Sequence, residues 1–396
     1  MNKTILIVEP IADGHHMHYV RYAAEGMLKA GNKVLLATCE ESLQNPAYIE
    51  MQQACGNQIK VLPITQKIKQ NWQPGPAGTL TRHLYFYNLF KNYWRTCPEA
   101  RKADIVFIAY LDYCDKFFSL RGSPFGSTPW AGLLMRPSFH YKSMGVIAPS
   151  SSLDLPEKFL LKRLLRAKHL HTLFTIDEPL SLFIQKHWLQ IAEKMKYVLD
   201  PADLDKPIPR QDARTLLGLP MNKRIMLSYG SLTLRKGVDV LLQAAISPDY
   251  PSDMILFFAG KQEADVQALM NSSEGKALKQ SGKIVELNRY LLKKEQTAAF
   301  CASDIVWLGY RGHYSSSGVL AQAQALGLPI IGCREGIIGW TLNKYNNGYV
   351  AEDMSVLSIL SAIKKCCDNV SHPQHEEFND RFSISRFGDD IQAGLQ

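Results

Sequence analysis

A short apolar strand followed by an amphipathic helix recurs along the whole chain, and this alternation strongly limits the possible folds. In the first half, the apolar runs KTILIVE, KVLLAT, KVLPI, ADIVFIAY, WAGLLMR and HTLFTID are separated by polar loops and helical segments. The first helical segment has apolar residues at i, i+3, i+4, i+7 and i+8, namely Val20, Ala23, Ala24, Met27 and Leu28. The alternation predicts an α/β protein whose parallel sheets are covered by helices.

The segment at residues 200–210 interrupts this alternation. Its sequence, DPADLDKPIPR, contains three prolines and no apolar periodicity, which is typical of a linker. The alternation then starts again with RIMLSYGSL and continues through VDVLLQAA, MILFFAG, KIVELN, SDIVWLGY and LPIIG. A chain of 396 residues is also too long for one ordinary core. We therefore predict two doubly wound domains that are joined near residue 205.

Composition restricts the class of protein. Hydrophobic residues make up 46% of the chain and charged residues 21%, as in globular proteins that fold in water. No apolar run approaches the ~18 residues of a transmembrane helix, and the start MNKTILIVEP enters a strand without the features of a signal peptide. The eight cysteines have neither metal-type spacing nor a C-x-x-C pair, so reduced thiols in a cytoplasm are the simple interpretation.

The net charge of +8 raises the question of an anionic partner. No nucleic-acid-binding motif accompanies the charge, so nucleic acid is not an expected partner. Basic residues alternate with aromatic residues in RHLYFYNLFKNYWR (82–95), which is either an acceptor groove or part of the core. In EKFLLKRLLRAKHLH (157–171), Lys158, Lys162 and Arg166 recur every four residues. This second stretch predicts a basic helix that either lies on an anionic membrane surface or is simply solvated.

Three loops between a strand and a helix carry the residues best suited to chemistry, because ligands of such sheets bind at the carboxyl ends of the strands. The first loop, ADGHHMHYV, combines a glycine, which allows close backbone approach, with three histidines at a helix start. No carboxylate motif such as H-E-x-x-H accompanies these histidines. We therefore expect a hydrogen-bonding role near a substrate and no metal site.

The second loop lies in YGSLTLRKGVDVLL and places Arg235, Lys236 and Gly237 directly before a helix. Two cations at a helix start reinforce the helix dipole in holding an anion, and a pyrophosphate in particular. The spacing is not that of a Walker loop. Two solvated cations beside a glycine turn are the alternative interpretation.

The third loop, which we call the serine loop, lies at the start of RGHYSSSGVLAQAQALGLPIIG, residues 311–332. Its Ser-Ser-Ser-Gly run, residues 315–318, contains residue types that start helices, because a hydroxyl can accept from a free backbone N–H. Residues 319–325 can continue the helix, Gly327 suits its left-handed end, and residues 328–331 predict a buried strand. Such a helix start offers N–H donors to a phosphate, and a capped helix in the core is the alternative.

In the order and spacing of these motifs, the chain resembles the GT-B glycosyltransferases, and specifically their large retaining group known as family 4. ADGHHMHYVRYAAEGMLKAGNKV is similar to their glycine loop and first helix, and YGSLTLRKGVDVLLQA to their donor-binding Lys-Gly loop. SSSGVLAQAQALGLPIIGCREGIIG is similar to their donor helix. The resemblance implies two Rossmann-like domains that face a shared cleft. They are an acceptor-side domain (1–205) and a donor domain (206–378), followed by a C-terminal helix (379–396) that packs back towards the first domain.

The resemblance also implies an activity. The expected reaction moves a sugar from a nucleotide-diphosphate sugar to a glycan, polysaccharide or lipid-linked acceptor, with retention of configuration and without a metal or other cofactor. The expected location is the cytoplasm, with peripheral contact to the inner face of an anionic membrane. Two alternatives stay open: a nucleotide-sugar epimerase of the same fold, for which the sequence offers no clear acid–base pair, and a non-catalytic GT-B protein that binds a glycan or a partner.

On the donor side, the resemblance implies that Lys236 contacts the diphosphate and that Arg235 shares this contact. Backbone N–H groups around Ser316, Ser317 and Gly318 are expected to hold the phosphates as well. The helix start in the serine loop would then hold the anionic part of a nucleotide-sugar.

In the first domain, the resemblance implies that the loop with Asp13, Gly14 and His15 faces the donor phosphate or the acceptor. His140, in LLMRPSFHY, falls where many relatives place a histidine near the transferred sugar. Arg136, four residues earlier, is the competing candidate for this catalytic position.

The chain departs from the family at three donor positions. Relatives carry two glutamates eight positions apart, one on the sugar and one on the ribose, where this chain has Tyr314 and Gln322. They often carry an arginine after the strand glycine, where this chain has Ser231. Arg235 or Arg311 is expected to supply the missing charge. We expect these differences to reflect an altered donor, and loss of activity is the alternative.

Overall fold

In the computed structural model, which describes residues 2–69, 71–369 and 378–396, the chain divides into two compact units. Unit 1 consists of Met1–Met144, Pro149–Leu199 and Ile384–Gln396, and unit 2 consists of Gly145–Ala148 and Asp200–Ser383. Residues 370–377, which the sequence assigns to the end of the second domain, lie outside the described residues.

Strands and helices alternate along both units. The strands are β1 (Thr4–Val8), β2 (Lys33–Cys39), β3 (Lys60–Ile64), β4 (Ile105–Ile108), β5 (Trp130–Leu133), β6 (Leu170–Thr175), β7 (Met195–Tyr197), β8 (Arg224–Tyr229), β9 (Met254–Ala259), β10 (Ile284–Leu287), β11 (Ile305–Leu308), β12 (Ile330–Cys333) and β13 (Gly348–Ala351). The α-helices are α1 (His16–Lys29), α2 (Pro46–Ala54), α3 (Gly75–Thr96), α4 (Asp115–Arg121), α5 (Asp154–Leu165), α6 (Glu178–His187), α7 (Arg210–Leu217), α8 (Val238–Ile246), α9 (Ala264–Met270), α10 (Ser273–Gln280), α11 (Lys293–Cys301), α12 (Gly318–Ala325), α13 (Gly336–Tyr345), α14 (Val356–Asn369) and α15 (Ile384–Ala393).

Unit 1 is built on a parallel sheet with the strand order β3-β2-β1-β4-β5-β6-β7. Along β1, Leu6 and Val8 pack into one hydrophobic cluster, and Ile5 and Ile7 pack into a second one. Because both faces of this strand are buried, its sequence is apolar throughout. The strand order reverses between β1 and β4, and we call this place the switch point of unit 1. Ligands of open parallel sheets bind beyond the strand ends at such a point.

Unit 2 repeats this architecture with the strand order β10-β9-β8-β11-β12-β13, and its pairs are also parallel. Along β8, Met226 and Leu227 pack into different hydrophobic clusters, so this sheet is also covered on both faces. Its switch point lies between β8 and β11. The two parallel α/β sheets confirm the predicted fold class.

The last helix of the chain, α15, packs against α1 within unit 1. Two glycines allow the close approach, because a Cβ on Gly26 would lie only 2.2 Å from the carbonyl carbon of Gly388. Any larger residue at Gly26 would push the two helices apart.

Two predicted stretches have different limits in the structure. The basic stretch at 157–171 forms α5 only as far as Leu165, because Leu170 already begins β6 and pairs with Trp130 of β5. The aromatic stretch at 82–95 lies within α3, and most of its aromatic rings are buried in the core. Of the helices in the described ranges, none combines the length and hydropathy that are needed to span a bilayer.

Candidate functional site

A buried cation lies at the switch point of unit 2, in the loop after β8. Lys236 ends one turn of 3₁₀-helix that precedes Gly237 and α8, and its side chain is buried. Its Nζ donates to the backbone carbonyl of Tyr229 at 2.5 Å and lies 5.5 Å from the ring centroid of Tyr310. Burial, with the neighbouring charge of Arg235, lowers the pKa of Lys236 to about 8. An ammonium carries three donors, so this bond leaves room for an anionic ligand.

Two glycines with left-handed backbone give this loop its shape. Gly230 has a φ of +95°, and a Cβ there would lie 2.9 Å from the Nζ of Lys236. Gly237 has a φ of +69°, and a Cβ there would lie 2.8 Å from the carbonyl oxygen of Gly309. The indole Nε1 of Trp307 donates to the carbonyl of Lys236 at 2.8 Å and anchors the loop to β11. Glycine at both positions therefore permits the approach of the cation to the strand end.

The ring of Tyr310, just beyond β11, connects this loop to the serine loop. The guanidinium of Arg235 lies 5.7 Å from its centroid, and the ring of His313 lies 5.6 Å from it. Burial lowers the pKa of His313, and the charges of Arg235 and Lys236 act in the same direction. The neutral imidazole can donate from Nε2 to the backbone carbonyl of Ser316, 3.0 Å away. Two cations and the serine loop therefore converge on one aromatic ring.

The start of α12 is uncapped. The helix begins at Gly318 with Ser317 in the N-cap position, and no side chain in the described part of the chain makes a capping hydrogen bond. The helix therefore begins at the Ser-Gly step that the sequence indicated, and the capped helix that was the alternative is not observed. The carbonyl of Ser317 accepts from the N–H of Leu320 at 2.9 Å. Without a cap, the first N–H groups of the helix stay available for an anion. Gly327 has a φ of +64° just past the helix, which confirms the predicted end.

Arg311 and Ser231 are held differently from the other donor-side candidates. The guanidinium of Arg311 pairs with Asp239 at 2.7 Å and also donates to the backbone carbonyl of Leu234 at 3.1 Å. The charge of Arg311 is therefore balanced inside unit 2. Ser231 is exposed in the loop after β8 and adds no charge there.

Tyr314 and Gln322, which replace the two family glutamates, lie before and within α12. The carbonyl of Tyr314 accepts from the N–H of Ile337 at 3.0 Å, which ties the serine loop to the start of α13. The Oε1 atom of Gln322 is buried and accepts no hydrogen bond from the described residues. A buried acceptor without a partner is costly, so this amide is suited to a ligand donor.

Unit 1 has a cavity of about 440 Å³ at its own switch point. The loops after β1, β2, β3, β4 and β5 form it together with α1 and α3. Both aromatic and charged side chains line it, among them Trp72, Arg82, Tyr110, Asp112 and Arg136. A concave surface of this kind is the usual form of a small-molecule site.

A histidine oriented by a carboxylate lines this cavity. His16, the first residue of α1, has its Nδ1 3.0 Å from Oε1 of Glu9, and the hydroxyl of Tyr113 donates to the same oxygen at 3.2 Å. The ring of His16 lies 4.3 Å from that of Tyr110. Burial disfavours the charged imidazole, but the charge and hydrogen bonding of Glu9 outweigh this effect, so the pKa of His16 is raised. Such a pair can take up and release a proton near neutral pH.

Asp112 and Arg136 lie side by side at the cavity. The carboxylate of Asp112 accepts from the backbone N–H of Met135 at 3.0 Å and of Arg136 at 2.7 Å. Burial and the charge of Asp115 nevertheless raise the pKa of Asp112 to about 7. The guanidinium of Arg136 is exposed and lies 5.7 Å from the ring of Tyr110. Arg136 is therefore placed to meet a ligand in the cavity.

His140, the other predicted catalytic residue, lies in the interior of unit 1 with no exposed surface. Its Nε2 is 3.2 Å from Oδ1 of Asp177, the N-cap residue of α6, and its ring packs against Phe139 and Phe183. Because the imidazole reaches neither solvent nor the cavity, this arrangement favours a structural role. Of the two predicted catalytic residues, the structure brings Arg136 to the cavity and buries His140 in the core.

The three residues predicted for the first loop have different surroundings. Asp13 lines the cavity, and its Oδ1 accepts from the side-chain amide of Asn45 at 3.1 Å. Gly14 has a φ of +63°, and no described atom lies within 4 Å of where its Cβ would be. His15 is the N-cap residue of α1, and burial together with the charges of the neighbouring histidines lowers its pKa. Within the described ranges, no group of three or more His, Cys, Asp or Glu side chains is arranged for a metal ion.

Sequence reasoning missed most of the residues that line this cavity. Asp112 lines the cavity, and Glu9 contacts His16, which lines it too. These two residues share a signal that was available, since each is an acidic residue that follows an apolar strand of the sheet. Arg82 begins the aromatic and basic stretch at 82–95, which the sequence offered as a possible acceptor groove. Trp72 carries no such signal, because it comes from the segment before α3.

Solved structures that cover the whole chain show its fold. Sucrose-phosphate synthase from Thermosynechococcus elongatus has a TM-score of 0.63 at 16% identity, over 99% of this chain and 94% of that chain. HepE from Anabaena, in complex with UDP-glucose, has a TM-score of 0.64 at 14% identity, over 100% and 99%. UDP-GlcNAc 2-epimerase from Neisseria meningitidis, bound to UDP-GlcNAc, has a TM-score of 0.63 at 11% identity, over 99% of both chains.

Neither a family model nor a curated protein matches the sequence. The full-length structural matches nevertheless confirm the likeness to GT-B glycosyltransferase structures that the motifs indicated. The chain therefore has the GT-B fold.

Proposed function

We propose that this protein is a glycosyltransferase that binds a nucleotide-diphosphate sugar in unit 2 and passes the sugar to a glycan, polysaccharide or lipid-linked acceptor. The observation that carries the proposal is the buried ammonium of Lys236 at the switch point of unit 2, close to the serine loop that leads to the uncapped start of α12. Both features favour a ligand with adjacent phosphates, because a cation and free backbone N–H groups complement the same anion.

In this proposal, unit 2 stabilises the charge that develops on the leaving nucleoside diphosphate. Lys236, Arg235 and the N–H groups around Ser317 and Gly318 are fixed before the reaction, so they stabilise this charge without reorganising. Gln322 offers its buried Oε1 to a sugar or ribose hydroxyl. Retention of configuration and transfer without a metal follow the family resemblance and belong to the proposal.

A uridine nucleotide is the donor that we propose to test first. HepE was solved with UDP-glucose and the epimerase with UDP-GlcNAc, and both share the fold of this chain over its full length. Tyr314 replaces the first family glutamate, which contacts the sugar in relatives. The sugar of the donor is therefore the part that experiment has to identify.

We place the acceptor in the cavity of unit 1. Both aromatic and hydrogen-bonding side chains line it, which suits a sugar ring with its hydroxyl groups. Arg136 and Asp13 would orient the acceptor, and His16, oriented by Glu9, would hold a proton beside it. The proposal also includes a cytoplasmic location and peripheral contact with an anionic membrane, where lipid-linked or polysaccharide acceptors are assembled.

A nucleotide-sugar epimerase is the second candidate. The His16–Glu9 pair and Asp112, whose pKa is raised to about 7, provide titratable groups of the kind that such chemistry needs. The full-length likeness to UDP-GlcNAc 2-epimerase favours the same candidate.

One experiment separates the two candidates. Purified protein is incubated with UDP-, GDP-, ADP- and dTDP-sugars, with and without oligosaccharide acceptors, and the products are followed by NMR. Nucleoside diphosphate that is released only when acceptor is present supports the transferase, and the anomeric coupling constant of the product reports retention. Conversion of a nucleotide-sugar to its epimer without acceptor supports the second candidate and overturns the first.

A further inference from the structure

Two adjoining surface cavities of unit 1 are lined by cations. The first, of about 600 Å³, lies between the end of α4 and the end of α5, and the second, of about 280 Å³, lies at the end of α6. Lys162 and Arg166 line both cavities. We define the basic surface as the lysine and arginine residues that line either one: Arg121, Lys162, Arg163, Arg166, Lys168 and Lys186.

No acidic residue balances this charge locally. None of the described residues that line the two cavities is an Asp or a Glu. The acidic residues of α5 are engaged elsewhere: Glu157 accepts from the backbone N–H of Ser138 at 2.9 Å, and Asp154 from that of Ser151 at 3.1 Å. The lining of the two cavities therefore carries a net positive charge, which attracts phosphate groups.

Large apolar side chains are exposed beside these cations. Phe159 lines the first cavity and is 64% exposed, and Leu189 lines the second and is 78% exposed. Leu155, one helical turn before Phe159 on α5, is 77% exposed. A helix that was simply solvated would gain nothing from a leucine and a phenylalanine on this face. Cations next to exposed apolar side chains are instead the combination that binds at a lipid–water interface.

We infer that the basic surface docks unit 1 on an anionic phospholipid bilayer. Headgroup phosphates enter the two cavities, where Lys162 and Arg166 contact them, and Leu155, Phe159 and Leu189 insert among the acyl chains. This arrangement gives the membrane contact of the proposed function a defined location and lipid class, and it does not depend on the donor or on the acceptor. Nucleic acid fits less well, because the exposed leucines would find no apolar partner on a phosphate backbone.

The test measures partitioning onto phosphatidylcholine vesicles with and without phosphatidylglycerol, for wild type and the double variant Lys162→Gln/Arg166→Gln. Each basic residue near an anionic leaflet contributes about 1 kcal/mol, so the double variant is expected to bind roughly 30-fold more weakly. The matched control is Lys364→Gln/Lys365→Gln, which removes two exposed cations from α14 of unit 2 and is expected to bind like wild type. Far-UV circular dichroism and the Tm of each protein without ligand check that all variants are folded.

A second variant tests the apolar part of the surface. Phe159→Ser changes an exposed side chain, so the fold should tolerate it. It is expected to weaken binding to the same vesicles about tenfold, because a phenylalanine that would enter the interface is lost. That loss should persist at high salt, where the contribution of the basic residues is screened.

Several outcomes would overturn the inference. If wild type does not bind vesicles that contain phosphatidylglycerol at low salt, the inference is wrong. Equal losses in the unit 1 and unit 2 double variants would show general attraction by net charge. Tight binding of RNA that competes with vesicles would assign the surface to nucleic acid instead. Sugar transfer to a soluble acceptor should be unchanged in Lys162→Gln/Arg166→Gln, so the inference and the proposed function can fail separately.

Discussion

The ammonium of Lys236 donates to the backbone carbonyl of Tyr229, 2.5 Å away, and this bond places a cation directly beyond the last residue of β8. No carboxylate among the described residues forms an ion pair with it. Burial and the charge of Arg235 lower the pKa of Lys236 to about 8, so keeping this side chain charged costs the folded protein free energy. Groups kept in such positions are frequent in sites that bind a ligand of opposite charge.

Replacing this cation should stabilise the protein without ligand. The pKa of Lys236 is lowered from 10.5 to about 8, so the unfolded state binds more protons between these values. The contribution of this residue to the free energy of unfolding therefore rises as the pH increases through that window. Lys236→Met should be more stable than wild type near neutral pH, by about 1–3 kcal/mol, and should lack this rise. Denaturant unfolding across the window measures both effects, with the exposed Lys261→Met as control. A Lys236→Met protein that is less stable near neutral pH would contradict the prediction.

Gly237 should tolerate no side chain. Its φ is +69°, and a Cβ would lie 2.7 Å from the Cε of Met354 and 2.8 Å from the carbonyl oxygen of Gly309. Gly312 has a similar φ of +61° with no atom within 4 Å, so it serves as the matched control. Gly312→Ala should cost about 1–2 kcal/mol for the left-handed backbone alone. Gly237→Ala should cost about 1–3 kcal/mol more because of the clash. Equal losses in the two unfolding curves would show that the loop after β8 has room that the structure does not indicate.

Much of the fold follows from local sequence. Strands such as TILIV and MILFFA are apolar throughout because both faces of each sheet are covered, and this pattern is visible without a structure. By contrast, β7 spans only Met195–Tyr197, which is too short for a periodic signal. The end of α5 also depends on a non-local contact, because Leu170 of β6 pairs with Trp130 of β5, forty residues earlier in the chain.

The candidate site was predictable only in part. The loop with Lys236 is contiguous, so its residue types and order indicate an anion site. The cavity of unit 1 joins His16, Trp72 and Asp112 from separate parts of the chain, and no short pattern links them. Residue type indicated that α12 starts at Ser317, but it did not show that this serine makes no capping bond. Residue type likewise did not show that His140 lies beside a buried carboxylate in the core and outside the cavity lining.

Asp112 should make the stability of the protein depend on pH. Its pKa is raised from 3.8 to about 7, so the folded state binds more protons than the unfolded state between these values. The stability that this group contributes is fully present below 3.8 and is lost as the pH rises to about 7. Wild type should therefore lose about 1–3 kcal/mol more than Asp112→Asn between about pH 5 and pH 8. Denaturant unfolding of both proteins at the two pH values checks this. If both proteins lose the same free energy of unfolding, the pH dependence comes from another group.

Glu9 should control the protonation of His16. The carboxylate lies 3.0 Å from the Nδ1 of His16, and it outweighs the effect of burial on the imidazole. Glu9→Gln should therefore lower the pKa of His16, because burial then acts without the balancing charge. An NMR titration of the histidine Cε1–H resonances measures this shift. Glu41→Gln, which changes a carboxylate that lines the cavity, should leave the pKa of His16 unaffected. If both variants shift the pKa of His16 alike, the two residues do not act as a specific pair.

Nucleotide binding by wild type and Lys236→Met is the measurement we would make first. A ligand at 100 times its dissociation constant stabilises a protein by about 2.7 kcal/mol, which corresponds to a shift of several degrees in Tm. We predict that one nucleoside diphosphate among UDP, GDP, ADP and dTDP raises the Tm of wild type by this amount and leaves that of Lys236→Met unchanged. A shift of equal size in the variant, or no shift with any nucleotide in wild type, would contradict a donor site built around Lys236.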